Sequence, residues 1–308
     1  MKTKQNDRWQ VGILTVLAIA MLASLLLPES WIQKTHRKRV EISILPRQID
    51  SEIWSMYRQG MEQAAEDYGA ELRFLIPTEN NDANQQLETM QREMKGGADA
   101  LIVAPIDNGQ ISEQLEQFRG LPVVCIETPV DGAAANIVPD NGVLVEMLVQ
   151  QVVQECPSQG SLLLVNWSGQ CDGIFQRLNA VQQELTQQGF DVQVAETPTL
   201  QQLQQSDGII CFEQQAVHTV LRQLEQSTAG AKVYSCGAAK PVAIALEQKK
   251  LQASAIWSEY VMGYLAVQQA TAEVRNHHAK DYLLPISLVK KGETYDSEYQ
   301  KLLYPISH

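Results

Sequence analysis

Residues 53–126 read IWSMYRQGMEQAAEDYGAELRFLIPTENNDANQQLETMQREMKGGADALIVAPIDNGQISEQLEQFRGLPVVCI, and this stretch decides the fold. A segment with apolar residues at helical spacing gives way to a short β-rich run, and the pair recurs twice more without a long gap. Short strands alternating with amphipathic helices wind a parallel sheet. Within the stretch, ADALIVAPIDNG carries an apolar strand at 100–104 straight into a polar loop. In open α/β sheets ligands bind beyond the carboxyl ends of strands, so loops of this kind are where a site is expected.

Working outward, a buried-type strand at 40–45 leads into an exit loop at 46–50, and a helix starts near Ser51 and runs to Gly69. Trp54, Tyr57, Met61, Ala64 and Tyr68 share one face of it. Most of that stripe reads as core, and Trp54, in the first turn beside the exit loop, is the residue placed to face a ligand. A strand at 71–76 and a helix at 84–95, closed by Gly96 and Gly97, come next. Strands at 100–104, 123–126 and 135–138 each end in a polar or turn-forming loop. After Asp140 and Asn141 the pattern restarts, with strands at 161–165, 192–195, 208–211, 232–235 and 253–257 and helices between them. A long helix at 259–275, one strand-like run at 283–289 and a polar tail finish the chain. The expectation is two similar α/β halves rather than one long sheet.

Upstream, Lys2, Lys4 and Arg8 precede the apolar run VGILTVLAIAMLASLLL at 11–27, with Trp9 and Trp31 at its flanks. That run is at the short limit for a bilayer core of ~30 Å, and an anchor spanning about 9–32 relaxes the constraint. Tryptophans suit membrane interfaces. A secretory signal peptide shares the basic start and apolar core. Here the small pair Ala18 and Ala20 lies inside the run and no cysteine follows to accept a lipid, so an uncleaved anchor is expected. Lys34, Arg37, Lys38 and Arg39 balance the positive charge before the span, and charge alone leaves orientation open.

The first 39 residues hold seven of the 24 Lys and Arg and two of the 36 Asp and Glu, which leaves 17 basic against 34 acidic residues and a net charge of −17. Such a surface repels phosphate backbones and argues against nucleic acid as a partner. None of the five cysteines forms a C-x-x-C pair. Cys125, Cys211 and Cys236 lie in apolar runs and read as buried thiols. Cys156 and Cys171 flank one strand, and an oxidising compartment would allow them to pair. The chain lacks G-x-S-x-G, H-E-x-x-H, a P-loop and G-x-G-x-x-G, so neither an enzyme nor a cofactor or metal site is expected. His277 and His278 are sequence neighbours that point apart, and the Asn166-Trp-Ser sequon falls on an expected cleft loop.

The segment IWSMYRQGMEQAAEDYGAEL, then QREMKGGADALIVAP at 91–105, GLPVVCIET and VPDNG resemble the type 1 periplasmic sugar-binding proteins of the ribose and xylose class. The likeness spans about 40–289 and is strongest up to Gly142. It implies two Rossmann-like lobes with parallel sheets, joined by a three-strand hinge and preceded here by one transmembrane helix. Lobe one is expected at 40–142 plus 259–285 and lobe two at 143–258, with a C-terminal strand and tail at 286–308 and the cytoplasmic start, anchor and basic linker at 1–39. The resemblance further implies a ligand in the cleft, hinge closure over it, and a binding domain outside the membrane with the N-terminus inside.

Carried onto this chain, the family's binding pattern is kept in part. Of the first-helix aromatic pair only Trp54 remains, Ala104 replaces a polar strand end, and the Asp-Arg pair after the fourth strand becomes Glu127 and Thr128. A frequent arginine falls on Phe175, with Arg177 two residues on. Glu213 and Gln214 stand for an Asn-Asp pair, Gly237 for an acid and Trp257 for the crossover glutamine. Sugars need aromatic faces against C–H patches and planar polar groups for hydroxyls. Trp54, Phe175 and Trp257 are the aromatic candidates, and Arg47, Glu127, Asp140, Arg177, Glu213 and Gln214 the polar ones. The resemblance implies a small sugar-like ligand for ABC-type uptake through a permease, or ligand sensing through a membrane histidine kinase. With the family's polar groups lost at positions such as Ala104, Thr128, Gly237 and Trp257, the pattern does not predict a standard pentose or hexose.

Overall fold

The computed structural model describes residues 39–49, 54–117, 120–167, 171–226 and 230–303. The anchor expected at 9–32 and the helix start expected near Ser51 lie outside them. Among the described residues no helix is long and apolar enough to cross a membrane.

The first sheet is built from β1 (Val40–Leu45), β2 (Ala70–Phe74), β3 (Ala100–Val103), β4 (Val123–Ile126), β5 (Ala135–Pro139) and β11 (Tyr282–Leu284). Their order is β11-β5-β4-β3-β1-β2, and every pair is parallel. Helices α1 (Ser55–Tyr68), α2 (Ala83–Gly96) and α3 (Asn108–Gln117) connect these strands. β3 and β4 consist entirely of buried apolar residues, as strands covered on both faces must, and β1 departs from this at Glu41 and Ser43.

The second sheet contains β6 (Ser161–Val165), β7 (Asp191–Ala195), β8 (Gly208–Cys211), β9 (Lys232–Cys236), β10 (Ala253–Ile256) and β12 (Ser287–Lys290), in the order β12-β10-β9-β8-β6-β7. Its helices are α4 (Asn141–Glu155), α5 (Asp172–Gln187), α6 (Leu200–Gln205), α7 (Gln214–Leu224) and α8 (Lys240–Glu247). The chain passes to this lobe through α4, returns after β10 through α9 (Glu259–Val274), and crosses a third time at Pro285 and Ile286.

The third crossing corrects two expectations. The single run expected at 283–289 is two strands, one per sheet, parted at Pro285, which has no N–H to give to a ladder. The second sheet is also mixed, because β12 runs antiparallel to β10. The chain leaves the first sheet at its carboxyl edge and enters the second at the facing carboxyl edge, so continuing straight on reverses its sense relative to its new neighbours. The expected polar tail is in part a helix, α10 (Ser297–Leu303). Tyr299, Leu302 and Leu303 recur at helical spacing and pack on the lobe-two core, with Leu303 buried. The Cys156–Cys171 pairing is replaced by five buried free thiols.

Helices α1 and α9 touch backbone to backbone. A Cβ at Gly60 would lie 2.0 Å from the Tyr260 carbonyl oxygen, and one at Gly263 would lie 2.1 Å from that of Tyr57. Glycine at both positions brings the axes together and sets the first turns of both helices beside the carboxyl edge of the first sheet.

Candidate functional site

The exit loop of β1 carries Arg47 and Gln48, the end of β4 carries Glu127, and the step from β8 into α7 carries Glu213 and Gln214. All face one interlobe cavity of about 50 Å³, together with Arg177 of α5, Trp257 of the second crossover, Glu259 of α9 and Tyr57 of α1. That volume accommodates a few waters and falls well below the roughly 300–1,000 Å³ of drug-sized pockets.

At its centre Arg47 Nε donates to Glu127 Oε2 at 2.9 Å, and Nη1 donates to Glu213 Oε1 at 2.8 Å and to Asn81 Oδ1 at 3.1 Å. Gln48 Nε2 donates to the same Glu213 oxygen at 3.1 Å. The three ionic side chains are each less than a tenth exposed. Burial alone would lower the Arg47 pKa, but Glu127 foremost, with Cys171 and Glu213, carries it well above its ordinary value. Burial likewise works against the Glu127 carboxylate, and the Arg47 guanidinium, aided by Arg177 and the Tyr57 hydroxyl, outweighs it and keeps the pKa low. Glu127 holds φ 66°, a left-handed conformation uncommon for a non-glycine residue, where the chain turns away from β4.

Glu259 behaves in the opposite sense. Burial first, and the Glu127 charge second, push its pKa up to about 8, while the Ala238 backbone N–H pulls it down. Its Oε2 has no hydrogen-bond partner among the described residues, and the same holds for both amide atoms of Gln214 and for Nε and Nη1 of Arg177. The Arg177 guanidinium instead lies over the Trp257 ring, 5.6 Å from its centroid. The cavity thus presents donors and acceptors side by side around an aromatic face, an arrangement that suits hydroxyl groups, which donate and accept at once.

The lobes also meet beside the cavity. The Asp172 backbone N–H donates to the Ile106 carbonyl at 3.0 Å, and Asp172 Oδ2 accepts from the Asn108 backbone N–H at 2.8 Å. A Cβ on Gly173 would lie 2.0 Å from Thr128 Oγ1.

Of the residues named from sequence, Arg47, Glu127, Arg177, Glu213, Gln214 and Trp257 meet at this cavity. Trp54 is buried and packs on Tyr57 with ring centroids 5.0 Å apart, and Tyr57 takes the position against the cavity. Phe175 lies outside the cavity and is 48% exposed. Two residues along a helix turn through about 200°, so with Arg177 facing inward Phe175 faces out. Asp140 caps α4, accepting from the Val143 backbone N–H at 3.1 Å, and does not line the cavity. Gln48, Tyr57 and Glu259 also line the cavity, beyond the residues named from sequence. Gln48 adjoins Arg47 in the exit loop of the first strand, Tyr57 belongs to the part of the helix stripe that reads as core, and Glu259 is the first helical residue after a crossover. Among the described residues no group of His, Cys, Asp and Glu is arranged to hold a metal ion.

Two six-stranded lobes that exchange the chain three times and enclose a polar cavity between their carboxyl edges define a binding clamp. Residues 42–278 match the family model described as periplasmic binding protein domain, and the chain belongs to that family of solute-binding proteins. It is 25% identical over 137 residues to the ribose import binding protein RbsB of Bacillus subtilis (strain 168), an alignment covering 42% of this chain and 44% of that protein. A solute-binding protein of an ABC transporter from Agrobacterium vitis with bound D-fucose has the same fold at TM-score 0.75 and 17% identity, over 86% of this chain and 100% of that one. The XylFII–LytSN complex matches at TM-score 0.72 and 15% identity, over 82% of this chain and 98% of that one.

Proposed function

We propose that this chain is a membrane-anchored, extracytoplasmic solute-binding protein that closes on a small polar ligand, a sugar or sugar-like compound, for ABC-type uptake. One observation carries the reading: Glu127 from one lobe and Arg177, Gln214 and Trp257 from the other and the crossover converge on a single polar cavity with an aromatic wall. The likeness to ribose- and fucose-binding relatives supports the ligand class. The apolar run at 11–27 supplies the anchor, which holds the binding domain outside with the N-terminus inside. A thermal-shift screen of the full chain in detergent against pentoses, hexoses, deoxysugars and cyclitols tests this. A ligand that binds the folded state alone raises Tm with its concentration. Saturable stabilisation by at least one of these compounds is expected, and a flat response to all of them overturns the reading.

A second reading, ligand sensing through a membrane histidine kinase, is favoured by the permanent tether and by the likeness to the XylFII–LytSN complex. Crosslinking in the native membrane separates the two. Recovery of a permease supports uptake, and recovery of a kinase alone supports sensing.

A further inference from the structure

The geometry points to the Glu127–Glu213 pair as a planar-cation subsite, occupied by the guanidinium of Arg47, on which closure of the two lobes depends. The inference concerns how the proposed clamp is regulated, and it rests on reading the lobes as one.

Glu127 belongs to lobe one and Glu213 to lobe two, so their approach is closure itself. Bringing two buried carboxylates together without a cation opposes burial and adds like-charge repulsion. Arg47 removes both difficulties, because its Nε serves Glu127 at 2.9 Å while Nη1 serves Glu213 at 2.8 Å. A guanidinium offers separate N–H donors in one plane, which a lysine ammonium does not reproduce. Asn81 accepts a second bond from Nη1 at 3.1 Å and holds the plane. Gln48, next to Arg47 on the same lobe-one loop, adds a second donor to Glu213 at 3.1 Å, so one loop clasps the facing lobe twice.

Arg177 does not substitute for Arg47. Its guanidinium is engaged over the Trp257 ring, and its Nε and Nη1 make no hydrogen bond to either carboxylate. Closure and cation occupancy are therefore linked, and by reciprocity a compound that fills the subsite in place of Arg47 promotes closure. Small guanidinium compounds are the class that fits, since they carry the same planar donors without the tether.

The test is hydrogen exchange of the full chain in detergent, followed in the segments containing Glu127 and Glu213. Arg47→Ala is expected to speed exchange there by about a hundredfold, as loss of one partner from a buried ion pair implies. Millimolar methylguanidinium is expected to restore protection saturably, while methylammonium and matched sodium chloride do not. The triple variant Arg47→Ala, Glu127→Gln, Glu213→Gln, which removes the cation and both charges, is expected to regain protection without any additive. Native-like protection in Arg47→Ala overturns the proposal. So does a failure of methylguanidinium to act differently from methylammonium, or a triple variant as open as the single one. Should Arg47→Ala alone fail to fold, the triple variant decides by itself. The probe is methylguanidinium, so a sugar screen without a positive result leaves each of these outcomes readable.

Discussion

The Tyr57 carbonyl oxygen lies where a side chain on Gly263 would begin, 2.1 Å from an ideal Cβ. The obstacle is backbone on a neighbouring helix, so relief requires α9 to move off α1. Alanine brings a helix-propensity gain of about 1 kcal/mol over glycine, against overpacking costs of roughly 1–3 kcal/mol or more. Because the clash is with backbone, the cost lies at the upper end of that range, and the Gly263→Ala variant is expected to lose about 1–2 kcal/mol net. Urea unfolding measures it, and equal or greater stability would mean that the helices are not in backbone contact.

Glu259 makes stability fall as pH rises. Its pKa is raised from 4.5 to about 8 in the folded protein, so between those values the folded state keeps a proton that the unfolded state has released. Stability from this group is full below about 4.5 and is lost progressively up to about 8. The slope is about −1.4 kcal/mol per pH unit. Glu127, whose pKa is lowered, contributes in the opposite direction and only as pH falls into the acid range. Comparing wild type with Glu259→Gln at pH 5.5, 6.5 and 7.5 isolates the effect. The stability advantage of the variant should widen by about 2–3 kcal/mol over that range, and a constant gap would show that Glu259 is already ionised.

Much of the molecule was legible because its signals are local. Apolar runs such as ALIV and VVCI, each ending in a polar loop, identify buried parallel strands, and counting to the strand ends reaches Arg47, Glu127, Glu213 and Trp257 directly. Tyr57 and Glu259 required knowing that α1 and α9 meet at two glycines, a long-range contact with no local mark. Helix phase sets Phe175 outside the cavity while Arg177 faces it, since a shift of two residues carries a side chain to the far face. The base missing at Thr128 is supplied to Glu127 by Arg47 from another loop, a substitution that the tertiary fold alone reveals. The break in the run at 283–289 was signalled by Pro285, but its meaning depends on where the two sheets lie.

The C-terminal helix gives a separate check on packing. Leu303 is 3% exposed and belongs to the lobe-two core together with Leu302 and Tyr299. Leu303→Ala is expected to cost about 2–4 kcal/mol, as truncation of a buried leucine does. A solvated tail would give nearly none. Chemical denaturation of the variant distinguishes the two, and an unchanged midpoint would place α10 off the core.

Gln214 sets stability against binding. Both its amide atoms are buried and have no hydrogen-bond partner among the described residues, so the fold carries their desolvation without return. Gln214→Met keeps the length and removes the polar atoms, and is expected to stabilise the protein by about 1–2 kcal/mol. The same change deletes a donor and an acceptor from the cavity wall. Affinity for whichever sugar the thermal screen returns should therefore fall about tenfold or more, the equivalent of one lost hydrogen-bonding group. Phe175→Ala, on the outward face of α5, should leave that affinity unchanged. Unfolding and titration calorimetry on the two variants read both halves. A Gln214→Met protein that is more stable and binds as tightly would remove Gln214 from the binding surface, and one that loses stability would show that its amide is satisfied.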